Sequence, residues 1–178
     1  LALNYTQEKK EDRLMNYRVG ISGGDIFVRA RHKRRLNLSP TQNFLVEPSV
    51  YYFLDEGLGT KLLLEYDYQL SKKSQFRINY SIRGSAEFSG IRWKHGFYKL
   101  HQINDTTASV ISLQVEGERN GARGFFVDNY TLGYRYRFNA LRDWLFFEIE
   151  PFLEFPEEKN YRTTPGIALR VEGFFHKG

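Results

Sequence analysis

At 178 residues, 41% hydrophobic, 16% aromatic and 26% charged, the chain has the length of one domain or of a barrel of about eight to ten strands, and an apolar content that excludes disorder. No run approaches the ~18 consecutive apolar residues of a membrane-crossing helix, and the mean hydropathy of -0.54 agrees; this excludes a helical membrane protein and leaves alternating strands open. The absence of cysteine excludes disulfides and thiolate metal sites, while the net charge of +5 arises from acidic and basic residues interleaved along the chain, which argues against a nucleic-acid-binding face.

The first residues, 1–13, read as a tail or an extra strand ahead of a body spanning 14–178. Leu1 does not open a basic start followed by an apolar run, so the chain reads as a processed product, a cytoplasmic one or a fragment. From Leu14 onward, apolar and polar residues alternate. Met15, Tyr17, Val19 and Ile21 oppose Asn16, Arg18, Gly20 and Ser22, and Ser22-Gly23-Gly24-Asp25 then closes a tight hairpin. Ile26, Val28 and Ala30 oppose Arg29, Arg31 and Lys33. The tract from Arg29 to Arg35 is the one basic cluster, suited to anionic headgroups or to carboxylates on neighbouring strands.

Further breaks follow at 37–42, 55–60, 71–74, 83–87, 103–107, 118–124, 139–143 and 155–160. The segments between them keep the pattern: Leu62, Leu64, Tyr66 and Tyr68 against Glu65 and Asp67; Phe76, Ile78, Tyr80 and Ile82 against Arg77 and Arg83; Tyr130, Leu132, Tyr134, Tyr136 and Phe138 against Arg135 and Arg137; Leu145, Phe147 and Ile149 against Glu148 and Glu150. Arg92 to His95 fit only if the phase flips near Ser89-Gly90, which predicts a bulge, and Pro48, Pro151 and Pro165 predict bulges or strand ends. About ten strands result, and an even number places both chain ends on one side of a membrane.

A strand has a side-chain period of 2, so this chain presents one aromatic, apolar face and one densely charged face. In a water-soluble barrel the apolar face points inward; in a transmembrane barrel it meets lipid and the charges fill the interior. Candidates such as 43–54, 60–70, 126–138 and 163–175 have the ~9–11 residues needed to cross a bilayer, longer than the soluble mode of about 5–6. Arginine is favoured on the polar face, and its planar fork pairs bidentately with carboxylates in confined spaces. These observations predict an all-β, antiparallel, up-and-down transmembrane β-barrel with a charged, occluded lumen. The lumen is expected to be lined by Arg29, Arg31, Glu47, Glu65, Arg77, Arg135, Glu148, Glu150, Arg170 and Glu172, with Arg77 and Arg83 finding carboxylates on adjacent strands. Tyr66, Tyr68, Tyr80, Tyr130, Tyr134, Tyr136 and Phe138 are expected to face lipid or its interface.

The C-terminal run Thr164 to Val171, followed by Gly173, Phe174 and Phe175, resembles the terminal strand of bacterial outer-membrane β-barrels, with Gly166, Leu169, Val171 and Phe175 in the place of the assembly signal. His176, Lys177 and Gly178 depart from the pattern by following the aromatic residue. The resemblance implies a porin-like protein of the Gram-negative cell envelope. It implies localisation in the outer membrane, contact with the lipid bilayer and lipopolysaccharide, delivery by the barrel-assembly machinery, and an envelope protein partner. The expected function is that of a structural or scaffolding membrane component or a narrow small-solute channel, without enzymatic activity, cofactor or metal. The alternatives are a soluble lipocalin-like barrel with the aromatic face around an apolar ligand, and an outer-membrane lipid-modifying enzyme using His95 or His101. No nucleophile-elbow or phosphate-loop pattern accompanies those histidines or the glycines at 117–124, and the spaced carboxylates Glu148 and Glu150 are expected to be neutralised by arginine.

Overall fold

The structure, a computed structural model, describes residues 2–10, 12–22, 25–54, 57–121, 123–139 and 145–173. It is an antiparallel meander of eleven strands: β1 (Ala2–Lys10), β2 (Arg13–Ser22), β3 (Asp25–Ser39), β4 (Gln42–Phe53), β5 (Gly57–Ser71), β6 (Ser74–Ser85), β7 (Gly90–Asn104), β8 (Thr107–Asn120), β9 (Gly124–Asn139), β10 (Leu145–Pro156) and β11 (Thr164–Gly173). Each strand pairs with its neighbours in sequence, so the spatial order is the chain order. The expected turns fall between these strands. The Asn139–Asp143 break and Gly23-Gly24 lie largely outside the described residues.

Two details refine or correct the sequence reading. The segment Ala2–Lys10, read as a tail or an extra strand, is a strand, paired with β2 from Ala2↔Gly20 to Lys10↔Arg13, which gives eleven strands among the described residues where about ten were expected. In an antiparallel meander of odd number the first and last strands run parallel, as β1 and β11 do. Among the described residues β1 and β11 are the two edges of the sheet and are not joined to each other. The second detail concerns Ser89-Gly90, where no bulge lies within a strand: the phase changes because β6 ends at Ser85 and β7 begins at Gly90, where a side chain would collide with the carbonyl oxygen of Arg119.

Pro165 stands at the start of β11, as a strand end, whereas Pro48 and Pro151 sit within strands without shifting the register. Pro48 pairs with Leu62 of β5, while the β3–β4 ladder skips from Arg31↔Ser49 to Arg34↔Val46. Pro151 pairs with Ile167 of β11, while the β9–β10 ladder skips from Ile149↔Tyr136 to Phe152↔Gly133. A strand residue directs its N–H to one side only, so each proline's missing donor opens the ladder toward one neighbour and leaves the other intact. Packing is supplied by rings laid over glycines on the facing strand. Tyr51 covers Gly59, Phe152 covers Gly166, and Trp93 covers Gly117, where a Cβ would stand 2.8 Å from the indole.

No large side chain is fully buried among the described residues, and Phe27, Leu45 and Tyr51 are the only buried hydrophobic ones. The apolar face is instead open: Ile167 and Val171 are each 65% exposed and Leu169 71%, and Val19, Ile21, Val28, Val50, Ile111 and Leu132 are also exposed. The sheet curls around its polar face. One cavity on this face, of about 920 Å³, is lined by residues from β2 through β9. Laid flat, eight strands would span roughly 34 Å, whereas this volume corresponds to a sphere roughly 12 Å across.

A charged interior face as candidate functional site

Cross-strand register settles which side chains share the polar face, because residues directly opposite in an antiparallel pair point the same way. One rung runs Asn16, Arg31, Ser49, Lys61, Arg83, Arg92, Glu118. Another runs Asp67, Arg77, Tyr98, Ser112, Gly133, Phe152, Gly166. The expected charged residues Arg29, Arg31, Glu47, Glu65, Arg77, Arg135, Glu148, Glu150, Arg170 and Glu172 all fall on this face, distributed over β3 to β11. The expected aromatic set, Tyr66, Tyr68, Tyr80, Tyr130, Tyr134, Tyr136 and Phe138, falls on the opposite one.

The charges form groups. On β5 and β6, Arg77 donates to both oxygens of Asp67 at 2.7 and 3.1 Å and stands 3.4 Å from Glu65. On β9, β10 and β11, three arginines meet three glutamates. Arg135 forks onto Glu150 at 3.0 and 3.2 Å, Arg137 reaches Glu172 at 3.1 Å and Glu148 at 3.6 Å, and Arg170 stands 3.0 Å from Glu150 and 3.4 Å from Glu148. Glu148 and Glu150 are only 12% and 13% exposed, which such pairing makes tolerable. Arg31 bonds Asn16 at 3.1 Å and Glu47 at 3.4 Å, and Lys94 bonds Glu116 at 3.1 Å.

The sequence pattern did not single out Asp67, Arg137, Lys94 or Glu116 as site residues, although each lies on the polar side of its strand; what singles them out is the partner opposite. Directly across from Arg83 stand Lys61 on β5 and Arg92 on β7, and Arg92 in turn lies 3.8 Å from Glu118 of β8. Arg18 on β2 likewise faces Arg29 on β3. At this basic end the polar face bounds the 920 Å³ cavity, so the side chains do not fill it there.

Of the terminal-strand residues, Leu169 and Val171 project to the apolar face, whereas Gly166 lies on the polar face beneath the ring of Phe152; Phe175, like Phe174 and His176, lies outside the described residues. His95 projects to the apolar face between the rings of Tyr80 and Phe97. His101 is exposed at the end of β7, where its Nδ1 lies 2.8 Å from Ser74 Oγ, a pair that the sequence spacing had not suggested.

No family model matches the chain, and no curated protein matches it. Among solved structures, the chain is similar to a bacterial polysaccharide outer membrane secretin, with a TM-score of 0.64 over 96% of this chain and 15% sequence identity. The chain spans 66% of the length of that protein's chain. At this identity the likeness concerns the fold: an antiparallel, up-and-down, all-β sheet.

Proposed function

We propose that the chain forms the wall of an outer-membrane β-barrel whose charges face a lumen and whose aromatic and aliphatic side chains face lipid, acting as a structural envelope component with a narrow passage for small polar solutes. The observation that carries this reading is the inversion of the two faces: Glu148, Glu150, Asp67 and Glu47 are largely covered while Ile167, Leu169 and Val171 stand open. A monomeric soluble protein rarely exposes contiguous apolar surface on this scale, and water is the wrong solvent for it. Strands of 9 to 16 residues are long enough to cross the ~30 Å hydrocarbon layer at the usual tilt. The similarity to a protein described as an outer membrane secretin supports the same placement. The lipocalin-like alternative is not favoured, because it requires the Tyr- and Phe-rich face inside, where the charges are.

In hydrocarbon an open sheet edge is not tolerated, so in the membrane β1 and β11 have their free backbone groups paired, and a seam made directly between them is parallel. The test is fractionation with gel mobility. The chain is expected in the outer-membrane fraction, soluble only with detergent, and to migrate differently before and after boiling. A monodisperse, detergent-free protein without a heat-modifiable band overturns the reading.

A further inference from the structure

The polar face is divided. Around β5–β6 and β9–β11 each arginine of the described ion pairs stands against carboxylates, but the cavity toward the β2–β3, β4–β5, β6–β7 and β8–β9 turns is predominantly basic. Its cationic lining is Arg18, Arg29, Lys61, Arg83, Arg92 and Lys94, against Glu47, Glu116 and Asp128. Two of those three carboxylates already have partners, Glu47 in Arg31 and Glu116 in Lys94, and Arg92 stands 3.8 Å from Glu118, so the basic character of the site is carried by Arg18, Arg29 and Lys61.

The register places like charges directly opposite one another at this end: Arg18 against Arg29, and Lys61 against Arg83 against Arg92. Such cross-strand pairs repel, and nothing in the backbone demands them. The Nε atoms of Arg18 and Arg29 are buried and donate no hydrogen bond, although buried donors are ordinarily satisfied. The guanidinium of Arg18 lies over the ring of Phe27, 5.4 Å from its centroid, and Phe27 is itself buried, which holds the Arg18 stem in the wall instead of in open solvent.

A roomy cavity with excess positive charge, with Arg18 opposed to Arg29 and the Nε donors of both unsatisfied, is arranged for an anion, which relieves the repulsion and accepts those bonds together. We infer that this cavity binds a small solute through its carboxylate or phosphate group, taken between Arg18 and Arg29 on one side and Lys61 on the other. Arginine forks bind both groups bidentately, so the two chemistries share the site. The inference rests on the charged face enclosing an interior, not on insertion into a membrane.

The test is calorimetric titration of the purified full chain, in detergent if it requires one, with inorganic phosphate, glucuronate and uncharged glucose as probes. Saturable binding of phosphate or glucuronate and none of glucose is expected, the tighter of the two anions identifying the source. Arg18→Gln with Arg29→Gln should weaken that binding at least about tenfold, the effect of removing charge-assisted hydrogen bonds. Arg18→Lys with Arg29→Lys, which keeps charge and loses the forks, should fall between, and Lys159→Gln in the β10–β11 turn should leave binding unchanged. Far-UV circular dichroism of each variant checks that the sheet is intact; if the Gln pair does not fold, the Lys pair carries the comparison. Absence of anion binding, equal binding of glucose, or wild-type affinity in a folded Arg18/Arg29 double variant overturns the inference. Binding by a chain that does not enter membranes upholds the site and defeats the barrel proposal; insertion without binding does the reverse.

Discussion

Leu132 lies near the middle of β9, 46% exposed, with Leu113 of β8 and Leu153 of β10 directly beside it on the same face. The cost of Leu132→Arg depends almost wholly on what covers that face. If the solvent is water, an arginine at a half-exposed strand position makes no cavity and buries no charge, and the change in stability stays within about 0.5 kcal/mol. If the solvent is hydrocarbon, a cation on the lipid face near the midplane costs about 2–4 kcal/mol, a factor of roughly 30 to 1,000 in the folding equilibrium. A soluble barrel with this face as its core would lose more and fail to fold. Denaturant unfolding in lipid vesicles, followed by tryptophan fluorescence, measures the difference, with Leu132→Phe as a tolerated apolar control. A loss below about 0.5 kcal/mol in vesicles, with the protein fully incorporated, refutes the assignment of this face to lipid.

Four further outcomes follow from the same geometry. Glu148→Gln removes the carboxylate shared by Arg137 and Arg170, leaving cations crowded on a largely covered face; discounted for the partial exposure of the arginines, the loss should be about 1–3 kcal/mol by chemical denaturation, and Arg170→Gln added to it should recover part. Gly166→Ala places a methyl group in the ring of Phe152 and should cost about 1–3 kcal/mol, with Phe152→Leu relieving it; an unaffected midpoint would show that the ring has room to move. Gly59→Ala should behave alike beneath Tyr51, relieved by Tyr51→Leu. Hydrogen exchange in a bilayer should find the amides of β1 and β11 protected to a degree approaching β5 and β6; fast exchange along both edges would sink the closed wall.

The strands and their two faces were legible because alternation and turn chemistry are local: a period of 2 needs no knowledge of what lies opposite. The β1 strand was less legible, since Gln7, Glu8, Lys9 and Lys10 run on without an apolar residue between them and the pairing with β2 supplies what the pattern lacks. Contacts between strands depend on register, and register depends on the turns. The two-residue connection at Gly23-Gly24 sets Ser22 opposite Asp25 and, counted back, Arg18 opposite Arg29, so that like-charge pair was within reach of the sequence. Counting back from Ser71 opposite Ser74 misplaces Arg77 by one residue, because the β5–β6 ladder slips between Gln69 and Ser71; the Arg77–Asp67 fork and the Lys61–Arg83 opposition were hidden for that reason.

The same accounting explains why the polar face is divided as it is. A charge taken out of water costs several kcal/mol unless a partner and hydrogen bonds replace its hydration, so a sheet that curls around its charges must either pair them or keep them wet. On β9 to β11 the arginines 135, 137 and 170 balance the glutamates 148, 150 and 172, and the carboxylates at the centre of the group are its most covered members. That arrangement needs no space, and the side chains fill it. At the other end Lys61, Arg83 and Arg92 stand directly opposite one another, with Glu118 3.8 Å from Arg92 on the far side, and the polar face bounds a cavity large enough for many waters or for one hydrated anion. The cavity follows the charge order along β2 to β7, where Arg18 faces Arg29 and Lys61 faces Arg83, as the filled end follows the interleaving of arginine and glutamate along β9 to β11.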